Sequence, residues 1–427
     1  MVASRKGKRM KVYKKPFLIT IVLFALMMQV ILEKQVDFLG YIDELFAVAS
    51  IIYIFKSMKL KKEMATPLSI MVILILIGIT GNLVYNVQGD VKAILMDIGN
   101  MFKGFVSFLA VYRYFDDNSQ EEVRRITLRC LNRLCKILVI PGVFLAILNL
   151  ITDIGMHTEY VYGMRAFHYI FLRVGNLNGV CAEILMILTA NLDDARTEKQ
   201  KRSQVTFIIM TLLLMMSTLR SRAFIYIALY IAGYCFFVRG KRIKVKLRYF
   251  LPAGVAGIYI GWPKVQFYFL NSSRTARAVL LRYGIRTAVD YFPIGAGFGT
   301  YGTYAAKAYR SQLYSKYNFS SFYGLSEDFG GFLTDDYWPA IIAEFGFFGA
   351  ILMLGLIVSI FGTVLHKTKS NAILRFAALF GTCRLCIESF VSSSFFHTSA
   401  VIMLILTALV LPCCDDDEEQ YTSNEDL

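Results

Sequence analysis

Long uncharged stretches recur from one end of this chain to the other, and polar residues collect in the gaps. The apolar runs fall near 16–32, 39–55, 67–85, 91–112, 137–152, 174–191, 204–219, 223–238, 249–262, 338–362, 372–390 and 399–412. Each approaches the ~20 residues a helix needs to cross a ~30 Å hydrocarbon core. The pattern predicts an all-α polytopic membrane protein of about twelve spans, one integral membrane domain over 1–427. The interval 263–337 is the longest connection, and long connections usually carry structure or function of their own. Its stretch SRTARAVLLRYGIRTAVDYF has helical apolar spacing interrupted by Arg274, Arg277, Arg282 and Arg286. That predicts an amphipathic helix lying on the membrane interface.

Composition agrees with this reading. The 427 residues are 56% hydrophobic and 18% charged, more apolar than a soluble domain requires. The formal charge of +15 then sets an orientation. The segments 1–15, 56–62, 113–136, 192–203, 239–248 and 366–375 together hold 30 of the 46 lysines and arginines. Basic residues concentrate on the cytoplasmic side. Both termini are therefore expected inside, with the acidic tail 413–427, and the loop 263–337 outside. The positive charge meets anionic lipid; no nucleic-acid motif accompanies it. No small-residue cleavage site follows the first apolar run, which predicts a retained span. None of the eight cysteines falls in an outer connection, which argues against a disulfide framework. Cys383 and Cys386 read as buried thiols. The inner segment DDNSQEEVRRITLRCLNR reads equally as a short amphipathic helix or a solvated linker. Asp43 with Glu44, and Asp97 with Lys103, read as internal pairs within spans.

Several arginines run against the charge rule. Arg220 and Arg222 stand between spans seven and eight on the outer side. Arg173 begins span six, and Arg274 and Arg277 lie in the long loop. Snorkelling to headgroups accounts for any one of them. Several on one side point to a site for a large anion, because guanidinium is planar, permanently charged and bidentate toward phosphate. The loop continues into YFPIGAGFGTYGTY. Its glycines lack the flanking strand and helix of a nucleotide-binding motif, so they predict tight turns. Tyr301, Tyr304, Tyr309, Tyr314, Tyr317, Phe322, Tyr323 and Trp338 are candidates for stacking on sugar rings, or members of an interfacial aromatic belt. Next, GGFLTDDYWPAIIAEFGFFGAILML places Asp335 and Asp336 before a span and Glu344 within it. Carboxylates there are candidates for a general base; Asp335 also reads as a helix cap. His397, in FFHTSA, reads as a further base or as an interfacial histidine. No carboxylate cluster has metal spacing, and no cofactor is expected.

Together these motifs resemble the O-antigen polymerase and O-antigen ligase superfamily of bacterial polysaccharide enzymes. TLRSRAFIYIAL is similar to the family's Ser-Arg segment and matches Ser221 and Arg222. LRVGNLNGVCAEI is similar to an Arg-x-x-Gly/Asn…Asn segment and matches Arg173, Asn176 and Asn178. RTARAVLLRYGIRTAVDYFPIGAGFGTYG resembles the loop helix followed by Pro-x-Gly-x-Gly. DDYWPAIIAEFGFFG resembles the span ending in Glu-x-Gly-x-x-Gly. Ligases begin that last motif with a histidine; here the place falls on or beside Asp335. The departure favours a polymerase, of the kind that builds capsule or exopolysaccharide.

The resemblance implies a metal-independent glycosyltransferase of the GT-C class, working without cofactor in the bacterial cytoplasmic membrane with its site facing outward. The donor is a glycan on undecaprenyl diphosphate, and a second lipid-linked repeat unit supplies the attacking hydroxyl. A chain-length regulator and a flippase are the partners it implies. On that chemistry Arg222, then Arg173 and Arg277, with Arg220 and Arg274 as neighbours, hold the diphosphate. Asp335 is the base, with Asp336 and Glu344 in reserve. Two other readings stay open. One is ligase-like transfer of a finished glycan to another acceptor. The other is transport, although no inverted repeat or matched pair of broken helices is present.

Overall fold

The computed structural model describes residues 2–56, 62–161, 163–240, 275–326 and 330–413. The predicted span 249–262, Arg274 and the acidic tail after residue 413 lie outside the described residues. The helices are α1 (Val2–Met27), α2 (Gln29–Leu32), α3 (Ile42–Lys56), α4 (Lys62–Tyr85), α5 (Val91–Phe115) and α6 (Glu121–Ile151). They continue with α7 (Val174–Asp193), α8 (Glu198–Met216), α9 (Ser221–Gly233), α10 (Ala276–Asp290), α11 (Tyr304–Ala308) and α12 (Gln312–Lys316). The last are α13 (Tyr337–Lys367), α14 (Ala372–Ser389) and α15 (Thr398–Val410). The other predicted spans fall on helical segments, with 16–32 divided between α1 and α2 and 223–238 shared by α9 and the π-helical turn Tyr234–Val238. Among the described residues, six segments are long and apolar enough to cross a membrane: Asp37–Lys56, Glu63–Tyr85, Val91–Phe115, Glu121–Ile151, Ser221–Val238 and Tyr337–Lys367. The chain is thus an all-α protein with several membrane-crossing helices.

Burial sorts these helices into two classes. In α7 and α15 almost every residue is buried, and so is the second half of α5. A helix apolar on all sides belongs in the middle of a bundle, and α15 packs on α5, α7 and α14. Small residues let these backbones approach. A Cβ at Gly104 would lie 3.0 Å from Leu404 Cδ1, so α5 meets α15 closely there. The outer helices instead show one bare apolar stripe. On α6 the exposed apolar residues include Ile137, Ile140, Phe144, Ile147 and Ile151; on α13 they include Ile351, Leu354 and Val358. Spacing of three and four residues puts each set on one face, as lipid contact requires.

Three sequence expectations change. The segment ending in LNR is neither a separate helix nor a linker but the first half of the 31-residue α6. Glu121 in its first turn suits the helix dipole and binds Arg124 through two 2.7 Å contacts. Arg124 also donates to the Val410 carbonyl at 3.2 Å, tying α6 to the end of α15. The connection 152–173 holds a two-stranded antiparallel hairpin, β1 (His157–Val161) and β2 (Met164–Phe167). Lys103 pairs with Asp43 at 2.6 Å and Glu44 at 2.9 Å, not with Asp97. Six residues, nearly two turns of α5, separate Asp97 from Lys103 and put them on different faces, and α3 packs against α5.

Candidate functional site

The glycine-rich stretch after α10 is drawn into the bundle between α4, α5 and α13, and the carboxyl of Glu344 anchors it. Glu344 is fully buried, and its Oε1 accepts the Thr300 N–H at 2.9 Å and the Tyr301 N–H at 3.1 Å. Asp97 accepts from Gly299 N at 2.7 Å. Asn82 grips both sides of Phe298, accepting from its N–H at 2.8 Å and donating to its carbonyl at 2.9 Å. Backbone buried away from water must find such partners. Glycine is required at the crossing points: Gly297 has φ +90°, and a Cβ there would meet Asn82 N at 2.5 Å. Gly346 breaks α13 at φ 67°, ψ −173°, where the chain passes Pro293.

This anchoring redefines two candidates. Glu344 is committed to the loop backbone. Tyr301 is fully buried, donates its hydroxyl to Leu280 O at 2.7 Å, and packs edge-on against Phe319 at 5.9 Å. It belongs to the small core under the loop with Val279 and Tyr314, so no ring face is left for a sugar. Tyr314 and Tyr317 share that core. Tyr304 and Tyr323 are exposed. Trp338 is half-buried, donates to Ser389 Oγ at 3.1 Å and stacks on Phe390 at 6.1 Å. The helix predicted at the interface, α10, packs along the start of α13: a Cβ at Gly284 would touch Pro339 O at 2.8 Å. Arg282 and Arg286 face away from that contact and are exposed.

Around this platform the arginines of separate segments gather at one end of the bundle. Arg173 precedes α7, is exposed, and has no ion-pair partner among the described residues. Thr218, in the α8–α9 turn, donates to Asn178 of α7 at 3.0 Å, and Phe167 N of β2 donates to Ser217 O at 3.0 Å. These bonds set the start of α7 beside Arg220 and Arg222. Arg220 turns outward to Glu159 of β1 at 2.8 Å. Arg222 faces α14, with Nη1 3.4 Å from Glu388 Oε1. The end of α14 joins the start of α13 through Trp338–Ser389 and through Ser393 Oγ, which donates to Thr334 O at 2.6 Å. There Arg277 holds Asp335 at 2.7 Å and lies 3.5 Å from Asp336. Asp336 is the N-cap residue of α13 and is buried, and burial, offset in part by Arg277, pushes its pKa up to about 7.

His397 lies between these groups. Its ring is exposed by surface area, yet enough protein surrounds it to lower its pKa, with Glu388, Lys103 and Asp335 as charged neighbours. Its Nε2 meets Ser393 Oγ at 3.1 Å. At the far end of the bundle the charges pair off among themselves: Lys367 with Asp116 at 2.8 Å, and Arg129 with Asp194.

Sequence reasoning passed over one residue. Arg384 sits between Cys383 and Cys386, whose thiols are free, and is only 1% exposed. Its Nη2 is 2.6 Å from Glu388 Oε2, and its guanidinium lies over the Tyr226 ring at 5.4 Å. A charge in mid-helix of an apolar segment, with a carboxylate four residues on, was the available signal. No protein-family model, curated protein or solved structure matches this chain. The functional reading therefore rests on the motif order and on this geometry.

Proposed function

We propose that the chain is a polysaccharide repeat-unit polymerase of the bacterial cytoplasmic membrane, a GT-C-type glycosyltransferase of about twelve spans whose loop end faces outward. One observation carries the reading. Arg173, Arg222 and Arg277 come from three distant segments and lie at the same end of an apolar bundle, with Glu388 on Arg222 and the carboxylates Asp335 and Asp336 on Arg277. That is a cationic surface for a phosphate group next to a proton acceptor.

The reaction asks for both. The acceptor hydroxyl attacks the anomeric carbon of the donor glycan, and the bond from that carbon to the lipid diphosphate breaks. Negative charge develops on the departing diphosphate, and fixed guanidinium groups stabilise it without reorganising. Arg222, Arg173 and Arg277 supply them. The hydroxyl proton passes to Asp335, the accessible carboxylate of the pair, which Arg277 holds in place. Asp336, buried behind it, fixes the other side of Arg277.

Gel analysis of surface glycan tests the reading in a deletion strain complemented with variants. Arg222→Ala is expected to lower polymer formation about 10²–10³-fold, the typical loss when one stabiliser of developing charge is removed, with normal protein in the membrane. Asp335→Asn should behave alike. Single repeat units should accumulate in both. Long chains at normal levels in Arg222→Ala would overturn the proposal. Long chains stranded on the carrier would instead indicate a ligase.

A further inference from the structure

Arg384 has no part in the chemistry above, yet its surroundings are unusual for a finished ion pair. Side-chain exposure falls from 38% at Arg222 to 15% at Glu388 and 1% at Arg384. The three form a line from the exposed end of the bundle into its interior. Glu388 gives one oxygen to each guanidinium, at 3.4 Å to Arg222 and 2.6 Å to Arg384. Among the described residues, Arg384 Nε and Nη1 have no hydrogen-bond partner. Buried donors left idle are costly, and a guanidinium offers five of them in a fixed fork. Tyr226 backs the group, and Gly179 leaves room beside Nη2, where a Cβ would stand 3.6 Å away.

We infer that Arg384 is an inner phosphate ligand of the same site and that Glu388 is a placeholder, a carboxylate that the incoming diphosphate displaces from between Arg222 and Arg384. This rests on the diphosphate reading above and deepens it. A phosphate group has more oxygens than a carboxylate and can engage the idle donors that Glu388 does not reach. Glu388 lies in the last turn of α14, one residue before its end, with His397 as a neighbour. It can swing out without disturbing the helix.

Binding of farnesyl diphosphate and of inorganic pyrophosphate to the full-length protein in detergent tests this, with melting temperature followed in parallel. Glu388→Gln removes the competing charge and keeps the shape, so both ligands should bind about tenfold more tightly. Arg384→Gln should weaken both by about tenfold to a hundredfold, the loss of a charge-assisted hydrogen bond. Arg384→Lys keeps the charge without the fork and should fall between, which covers the case of a misfolded glutamine variant. Unchanged or weaker binding in Glu388→Gln, with a lower melting temperature, would make Glu388 an ordinary ion-pair partner and overturn the inference. If Arg222→Ala weakens binding and Glu388→Gln does not strengthen it, the diphosphate reading survives and the placeholder falls. If the unaltered protein binds neither ligand, both fall. Farnesyl diphosphate bound without pyrophosphate, and indifferent to all three substitutions, would locate the affinity in the prenyl chain and also overturn it.

Discussion

The guanidinium and carboxyl groups at the loop end were partly legible in the sequence. Arg222 and Arg277 stood out because they break the charge rule of a membrane chain. Arg384 did not, because its motif drew attention to the flanking cysteines and because only packing reveals that a side chain is buried. Glu344 and Tyr301 looked like site residues for the same reason in reverse: a carboxylate within a span and a tyrosine in a loop are both recruited to hold a re-entrant turn. Asp336 offers a test at this scale. Its pKa rises from 3.8 to about 7 on folding. Between those values the folded protein binds the proton and the unfolded chain does not. The stability tied to that proton is present at low pH and lost as pH rises through about 7. The melting temperature in detergent should therefore fall between pH 5 and pH 8, and Asp336→Asn should flatten that fall. An equal fall in the variant would assign it to other groups.

The apolar helices were the most readable elements, because twenty uncharged residues have few alternatives in a membrane protein. Their connections were less so. The β1–β2 hairpin had a signal, TEYVYGMRAF, with β-prone residues on both sides of Gly163, but it lay between spans where only loops were sought. The insertion of GAGFGTYG could not be read at all, since its partners Asn82, Asp97 and Glu344 lie on three separate helices. The loop's dependence on glycine can be measured. Gly297→Ala places a Cβ 2.5 Å from Asn82 N at a φ of +90°. It should cost about 1–3 kcal/mol, read as a lower melting temperature. Gly362→Ala on α13 meets nothing within 4 Å and should leave the melting temperature unchanged or slightly raised. Similar losses at both positions would mean that the loop is not held as described.

For the molecule as a whole, the proposed chemistry stands or falls with orientation. The bundle has two unlike ends. One carries Arg173, Arg222 and Arg277 together with Asp335, Asp336 and Glu388, and Tyr304 and Tyr323 are exposed on the loop. The other carries Arg125, Arg129 and Lys199 on the short connections that the charge rule assigns to the cytoplasm. A lipid-linked repeat unit polymerised outside the membrane requires the first end to face outward. Single cysteines introduced into a cysteine-free background decide the matter. Tyr323→Cys should react with a membrane-impermeant maleimide in intact cells. Lys199→Cys should react only after the membrane is opened. The reverse pattern would put the arginine cluster in the cytoplasm, where nucleotide-linked sugars compete as donors, and the polymerase proposal would fail even if every substitution at Arg222 behaved as expected. Labelling of both positions from one side would contradict the bundle itself, because α8 runs between Lys199 in its first turn and the α8–α9 turn, which β2 joins.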